Sequence, residues 1–143
     1  MIAEADGCLL CDVGRADEVF DRVRVWDDGR WRLSVVRRGP VAGFAHLEPH
    51  RHIPYVTDLD GAEAATFGPV LARVTAALRE AAGAELTYAY VFGERVPHLH
   101  VNLAPHVDGD ALVGGPGLVR PDAAPVPRER HEAVAAAIRD VLA

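Results

Sequence analysis

The sequence predicts an α+β domain, an antiparallel sheet with a long helix and a C-terminal helix on one side. Three observations support this fold class. A strand–turn–strand pattern lies near the N-terminus, an amphipathic helical pattern occupies the middle of the chain, and an alternating strand pattern follows it. Helices and strands that are segregated in this way pack as helices on one face of an antiparallel sheet.

The first strands form a predicted hairpin. Arg22–Trp26 alternates polar and apolar residues, as a half-buried strand does. Asp27-Asp28-Gly29 is a turn signal, and Trp31–Val36 is the returning strand. After a loop that is rich in glycine, Phe44–Glu48 is predicted to be a third strand that ends at Pro49.

The longest predicted helix spans Thr57 to Ala82. Its apolar residues recur along one stripe, at Phe67, Val70, Leu71, Val74 and Leu78. Thr57 or Asp58 can cap its start and Gly83 can end it. The Gly68-Pro69 pair predicts either a kink in this helix or a helix that begins there.

Two further strands and a closing helix complete the prediction. Leu86–Phe92 is rich in aromatic residues that favour strands. His98–Ala104 alternates with a period of two. Residues 107–127 contain many prolines and glycines and are expected to be an extended segment, and residues 128–143 are expected to form a C-terminal helix.

The length, composition and net charge of the chain limit the class of protein to which it can belong. A chain of 143 residues that is 50% hydrophobic predicts a single domain over 1–143, with its core over about residues 7–106. A net charge of −6 argues against binding to a nucleic acid polymer, which needs a basic face. No apolar run is long enough to cross a membrane, and no signal peptide pattern is visible. We therefore expect a cytoplasmic protein with no membrane partner.

The stretch PHLHVNLAPH at 97–106 carries the clearest chemical signal. Period-two alternation places His98, His100 and Asn102 on one face of a strand, each ~6.6 Å from the next. Imidazole can act as a nucleophile, a base or a hydrogen-bond donor near neutral pH. The alternative is a strand face that is simply solvated.

Three segments of the chain resemble the histidine triad superfamily of nucleotide hydrolases and transferases. GERVPHLHVNLAP at 93–105 is similar to the family's glycine turn and its pattern of three alternating histidines. GFAHLEPHRH at 43–52 is similar to the family's strand that ends in proline and histidine, and Cys8-Leu9-Leu10-Cys11 to the C-x-x-C of many bacterial members. The resemblance covers about residues 7–106.

The resemblance implies a fold, an assembly and a reaction. The family fold is an α+β sheet, usually in a homodimer whose sheets join. The implied substrate is a small nucleotide or another phosphorylated molecule that contains a phosphoanhydride or phosphoramidate. The middle histidine, here His100, attacks the α-phosphate, and its other ring nitrogen is held by a backbone carbonyl. A covalent nucleotidyl-histidine forms, and water or another acceptor then releases the nucleotide.

The chain departs from the family pattern at several positions. Asn102 replaces the third histidine, and an amide donates a hydrogen bond but carries no charge and transfers no proton. Val36 or a neighbour stands where many members have an acidic residue that binds ribose. Arg95 is a candidate phosphate ligand because guanidinium suits phosphate geometry. His106 follows the nucleophile strand and is a further candidate for substrate binding.

Two cysteines in a C-x-x-C, Cys8 and Cys11, indicate a metal or redox site in a cytoplasmic protein. The resemblance to zinc-containing bacterial members implies a Cys2His2 set completed by His52 and His98. Four protein ligands leave no open position, so the implied Zn2+ is structural. The alternative is a pair of reduced thiols that bind no metal.

Two other functions remain open beside the nucleotide enzyme. The loss of the third histidine and of the ribose-binding acid also suits a divergent member with altered small-molecule chemistry, such as a biosynthetic enzyme. A third possibility is a non-catalytic binding module that zinc stabilises.

Overall fold

The computed structural model describes residues 6–113 and 119–143. The elements in chain order are α1 (Val13–Phe20), β1 (Arg22–Asp27), β2 (Trp31–Val36), β3 (Ala45–Pro49), α2 (Gly61–Ala82), β4 (Leu86–Tyr90), β5 (Val101–His106) and α3 (Arg128–Leu142). The strands form one antiparallel sheet in the order β1-β2-β3-β5-β4. This architecture confirms the predicted fold class. Within the described ranges, no helix has both the length and the apolar composition that a membrane crossing requires.

One face of the sheet packs against α2 and α3 and forms the main hydrophobic core. The fully buried side chains of this core come from every layer, among them Trp31, Leu33, Leu47, Leu78, Leu103 and Ile138. The apolar stripe of α2 explains its place in this core, because its buried residues Val74 and Leu78 belong to the predicted stripe.

The opposite face of the sheet carries polar side chains and has a different cover. A smaller apolar cluster lies there, built from the N-terminal segment and α1, and its buried members are Cys8, Leu10 and Ala16. Phe20, at the end of α1, packs on this cluster. The N-terminal segment and α1 therefore close the end of this face that carries the predicted site residues.

Gly43 allows the chain to enter β3 close to β5. Its φ of +86° lies in the left-handed region, and a Cβ atom there would stand 3.0 Å from Pro105 and 3.2 Å from Val134. A side chain at this position would meet both neighbours and be strained by the backbone conformation. The glycine thus brings the third strand beside the histidine strand.

Several element boundaries differ from the prediction, each for a local reason. A short 3-10 turn at Val56–Asp58 precedes α2, which begins at Gly61 and continues without interruption through Pro69. The strand β5 begins at Val101 rather than His98, because the Leu99 amide donates to the Ile53 carbonyl at 2.7 Å instead of joining the sheet ladder.

The predicted extended segment is only partly described. Leu112 and Val119 form an isolated antiparallel bridge, and the Val126 amide donates to the Gly39 carbonyl at 2.9 Å. The remainder of the prediction for this segment, over 114–118, lies outside the described residues. The C-terminal helix is confirmed, and it begins at Arg128 and ends at Leu142.

Candidate active site and metal centre

The pairing of β3 with β5 assembles the candidate active site on the polar face of the sheet. His46 and Asn102 are register partners in this ladder. A cavity of about 470 Å³ opens over them. Its lining combines apolar residues of α1, β2 and the connecting segments with a few polar ones, namely Leu10, Phe20, Val36, Arg38, Gly39, Phe44, His46, Arg95, Val96, His100 and Asn102. This site therefore includes three of the four residues that the sequence assigned to catalysis and substrate binding.

His100 is held in the orientation that a nucleophilic imidazole needs. Its Nδ1–H donates to the backbone carbonyl of His98 at 2.8 Å. This bond fixes the tautomer and leaves the lone pair on Nε2. Nε2 has no hydrogen-bond partner among the described residues, and the ring lines the cavity. The predicted carbonyl partner of His100 is thus His98 itself.

Asn102 and Arg95 line the same cavity and retain free donors. Asn102 is buried, and one of its amide hydrogens is given to the Tyr90 carbonyl at 3.3 Å. Arg95 is exposed and forms no ion pair with any residue of the described ranges. Arg38, also exposed, donates to the Val19 carbonyl at 3.0 Å. No carboxylate of the described residues belongs to this lining, although Glu94 borders the adjoining cavity that shares Arg95, His100 and Asn102. The arginine side chains of the lining favour an anion.

His106 lies away from this cavity. Its Nδ1 is 2.9 Å from an Asp110 carboxylate oxygen, and its ring packs on Tyr88 with centroids 5.2 Å apart. The imidazole is therefore engaged at the end of β5. Its predicted part in substrate binding stays a prediction that the cavity lining does not support.

A buried ion cluster lies under the cavity on the same face of the sheet. Glu48 is fully buried and accepts from Arg22 Nη2 at 2.8 Å, Arg22 Nη1 at 3.0 Å and Arg32 Nε at 2.7 Å. Burial would raise the pKa of Glu48, but hydrogen bonds and charge from Arg22 and Arg32 outweigh it and leave this pKa below its ordinary value. The carboxylate between two guanidinium groups is therefore charged at neutral pH.

His46 stands between this ion cluster and the cavity. It is buried, and this desolvation, followed by the charge of Arg22, lowers its pKa to about 4. Its ring makes edge contacts with Phe20, Phe44 and His100, at centroid separations of 5.2, 5.4 and 6.1 Å. The imidazole is neutral at physiological pH and is held in place on several sides.

The four predicted metal ligands converge into one cluster. The ligand atoms of Cys8, Cys11, His52 and His98 all lie within 4.8 Å of one another. Cys8 Sγ is 3.6 Å from His98 Nδ1, and Cys11 Sγ is 3.5 Å from the same atom and 3.3 Å from His52 Nδ1. A tetrahedral zinc with ordinary bond lengths separates sulfur and nitrogen ligands by about 3.6 Å. The donor set and its spacing fit a structural Zn2+.

The surroundings of the cluster also fit a metal. The Nε2–H of fully buried His98 donates to the Pro49 carbonyl at 2.8 Å, which directs Nδ1 at the two sulfur atoms. Burial lowers the pKa of His98 and favours its neutral, ligating form. Partial burial, and then the neighbouring Cys8 thiol, raise the pKa of the Cys11 thiol to about 11. A cation is what converts such a thiol to a thiolate at neutral pH.

The sequence did not indicate how central His46 is. Period-two alternation in the third strand places His46 on one face with Glu48, but a single histidine on a strand gives no sign of its partners. Arg22 and Arg32 alternate with apolar residues on two other strands, and this pattern is typical of any solvated face. The only sign in the sequence was that polar residues recur on three strands, β1, β2 and β3. The structure shows that these strands are neighbours.

Solved structures of histidine triad proteins share this fold. A Hit-like protein from Bartonella henselae that is involved in cell-cycle regulation has a TM-score of 0.74 at 19% identity, over 99% of this chain and 100% of that one. A histidine triad protein from Sinorhizobium meliloti has 0.71 at 27%, over 89% and 93%. A zinc-bound histidine triad family protein from Mycobacterium smegmatis has 0.69 at 21%, over 96% and 97%. No protein-family model and no curated protein matches the sequence.

Proposed function

We propose that this chain, whose fold is that of the histidine triad proteins, is a hydrolase or nucleotidyl transferase acting on a nucleotide phosphoanhydride or phosphoramidate. The observation that carries the proposal is the orientation of His100. Its Nδ1–H is bonded to the His98 carbonyl, and its Nε2 lone pair is free beside the cavity. A neutral imidazole with one nitrogen held and the other free is ready for nucleophilic attack.

The proposed reaction has two displacements. His100 Nε2 attacks the α-phosphorus, a nitrogen–phosphorus bond forms, and the bond from phosphorus to the leaving phosphate or amine breaks. Asn102 cannot supply a proton, so the leaving group takes its proton from solvent. Water or another hydroxyl acceptor then attacks the same phosphorus, loses its proton to solvent and frees His100.

Asn102 and Arg95 bind the phosphoryl group in this proposal. The amide hydrogen of Asn102 that Tyr90 does not occupy and the unpaired guanidinium of Arg95 both lie at the cavity with His100. Such donors stabilise the charge that develops on the phosphoryl oxygens. Arg95 suits this role because its planar fork binds two oxygens at once.

The Cys2His2 cluster holds the nucleophile strand in position. Zinc, when bound, supplies a fixed crosslink between the N-terminal segment, the end of β3 and His98. The carbonyl of His98 is the atom that orients His100. Because all four ligands come from the protein, the proposed metal is structural and takes no part in the displacement.

A second function is favoured by one specific observation. No carboxylate of the described residues belongs to this lining, so the acidic side chain that would accept from the two hydroxyls of a ribose is not found there. A phosphorylated substrate with an apolar body would fill the same space. The alternative is therefore a divergent enzyme that keeps the His100 chemistry on another small molecule.

Mass spectrometry of the protein and of its peptides separates these functions. The zinc-loaded protein is incubated with adenosine 5′-phosphoramidate or with a dinucleoside polyphosphate, quenched and digested. We expect a mass gain of one nucleotide on His100 and none in His100→Ala. Absence of adduct and of turnover in a folded, zinc-replete protein would favour the altered substrate or a non-catalytic module.

We also expect a homodimer, joined through the edge of the sheet. β4 is an edge strand, and Phe92 just beyond it is 72% exposed. Its neighbour Val91 is also exposed, as is Leu86 at the start of β4. An open strand edge with apolar residues pairs readily with a second chain. Light scattering checks this, with Phe92→Asp expected to shift the protein toward the monomer.

A further inference from the structure

His46 has the surroundings of a ligand-binding group rather than of a core histidine. It faces Asn102 across the β3–β5 ladder, and its ring centroid is 6.1 Å from that of His100. It also belongs to the lining of the cavity while being only 6% exposed. Because buried polar groups in proteins are almost always hydrogen-bonded, each of the two nitrogen atoms of this ring is expected to have a partner.

The contact with Arg22 determines which nitrogen carries the proton. Arg22 Nη1 lies 3.1 Å from His46 Nδ1, and a guanidinium can only donate. Nδ1 is therefore the acceptor, and the neutral ring carries its hydrogen on Nε2. The two hydrogens of Arg22 Nη1 are thus given to Glu48 and His46.

Arg22 cannot turn away from this contact. Its Nε donates to Asp17 at 2.8 Å, its Nη2 donates to Glu48 at 2.8 Å, and its side chain is fully buried. The rings of Phe20 and Phe44 each make a T-shaped edge contact with the His46 ring. The donor on His46 Nε2 is consequently fixed before any ligand binds.

His46 Nε2 has no acceptor among the described residues. It is also not one of the buried polar atoms that lack a partner, so this donor opens onto the cavity that His46 lines. Among the described residues, Arg38 and Arg95 line this cavity and no carboxylate does. The missing partner is thus expected to be an oxygen of an anionic ligand.

We propose that His46 binds the substrate, its Nε2–H donating to a non-bridging phosphoryl oxygen while His100 attacks the phosphorus. The proposal rests on the function given above and adds a donor to it. His46 would supply a second imidazole from the neighbouring strand, where Asn102 offers only an amide. Because the ring stays neutral down to a pH of about 4, it stabilises the phosphoryl group by hydrogen bonding and not by charge.

The kinetic test compares two substitutions at one position. His46→Leu removes the donor, and His46→Gln keeps an N–H near the place of Nε2. We expect formation of the nucleotide adduct from adenosine 5′-phosphoramidate to slow about 10²-fold in His46→Leu and less than about 10-fold in His46→Gln. Ser34→Ala, at the position paired with His46 in β2, is the matched control and is expected to react as the wild type does. Equal rates in all four proteins would overturn the proposal.

A second measurement does not require that the protein turn over a substrate. In the full-length, zinc-loaded protein with ¹⁵N-labelled histidine, NMR is expected to show His46 as the Nε2–H tautomer. Titration with inorganic phosphate should shift this Nε2–H resonance, and His46→Leu should weaken phosphate binding by about 10-fold. An Nδ1–H tautomer, an unmoved resonance or unchanged phosphate affinity would each contradict the role of His46.

The two measurements also separate the two proposals. If the wild-type protein forms no adduct but phosphate moves the His46 resonance, the nucleotidyl chemistry fails and the anion-binding role of His46 holds. If the adduct forms on His100 while His46→Leu reacts at the wild-type rate, the role of His46 fails and the proposed function holds.

Discussion

The two faces of the sheet are both buried, but by opposite means. The face toward α2 and α3 is covered by apolar side chains, whereas the other face buries Arg22, Arg32, His46 and Glu48. Apolar packing tolerates changes of residue as long as volume is kept. Buried charges are stable only as a complete set, because each desolvated ion depends on its partner. The face that depends on exact partners is the one on which the candidate active site is built.

The largest expected effect concerns activity on the polar face. His100→Ala removes the nucleophile while leaving the apolar face intact, so we expect adduct formation to fall at least ~10³-fold. Thermal unfolding of the same variant should stay close to that of the wild type. The comparison is made by intact mass and by a melting curve. An adduct that survives in His100→Ala would place the chemistry elsewhere.

Neighbouring residues of β3 compare the two faces directly. Glu48→Leu leaves two guanidinium groups without their carboxylate, and we expect it to lower the free energy of unfolding by about 4 kcal/mol. Leu47→Ala, on the helix-covered face, should cost about 3 kcal/mol through a cavity. Urea unfolding measures both. A Glu48→Leu protein as stable as the wild type would show that the ion cluster is replaceable by apolar packing.

The pH dependence of the free energy of unfolding should also arise from a residue on the polar face, His46. The pKa of His46 is about 4 in the folded protein and near its ordinary value of 6.5 in the unfolded chain. Between these values the unfolded chain binds the extra proton, so the free energy of unfolding falls as the pH falls from 6.5 to 4, by about 3 kcal/mol. Below 4 this group contributes no further change.

The variant His46→Leu separates the contribution of His46 to the pH dependence of stability from that of other groups. Glu48 and the metal ligands titrate in both proteins, so the difference between wild type and His46→Leu reports His46 alone. We expect the loss of stability between pH 7 and pH 4.5 to be smaller in His46→Leu. Parallel stability curves for the two proteins would contradict the buried, neutral state of His46.

The smallest expected effect is that of the metal. Purified protein that has never met a chelator should contain about one zinc per chain, and Cys8→Ser less than half of that. Loss of zinc should slow adduct formation on His100 by about 10-fold, because the His98 carbonyl that orients His100 is less firmly placed. The helix-covered core should persist, as followed by circular dichroism. Full activity in a zinc-free protein would remove the link between metal and nucleophile.

Local patterns in the sequence were sufficient for much of the molecule. The hairpin and the stripe of α2 each depend on neighbours within a few residues, and the structure confirms these elements. The predicted strand over 98–104 is confirmed only from Val101 onward. The helix ran through Pro69 instead of breaking, because packing of its apolar stripe outweighs the loss of one hydrogen bond. The boundaries of β5 depended on a distant carbonyl at Ile53, which no local pattern indicates.

The sequence, through its resemblance to a known family, predicted which residues have the chemistry for the proposed site, namely His100 as the proposed nucleophile and two cysteines with two histidines as proposed metal ligands. Only the tertiary structure decided what surrounds them. It placed His46 opposite Asn102, directed Arg22 at Nδ1 of His46, and left His106 away from the cavity. The physical reason is that tautomer, pKa and free donors depend on partners that are distant in sequence, and these partners meet only when the strands pair.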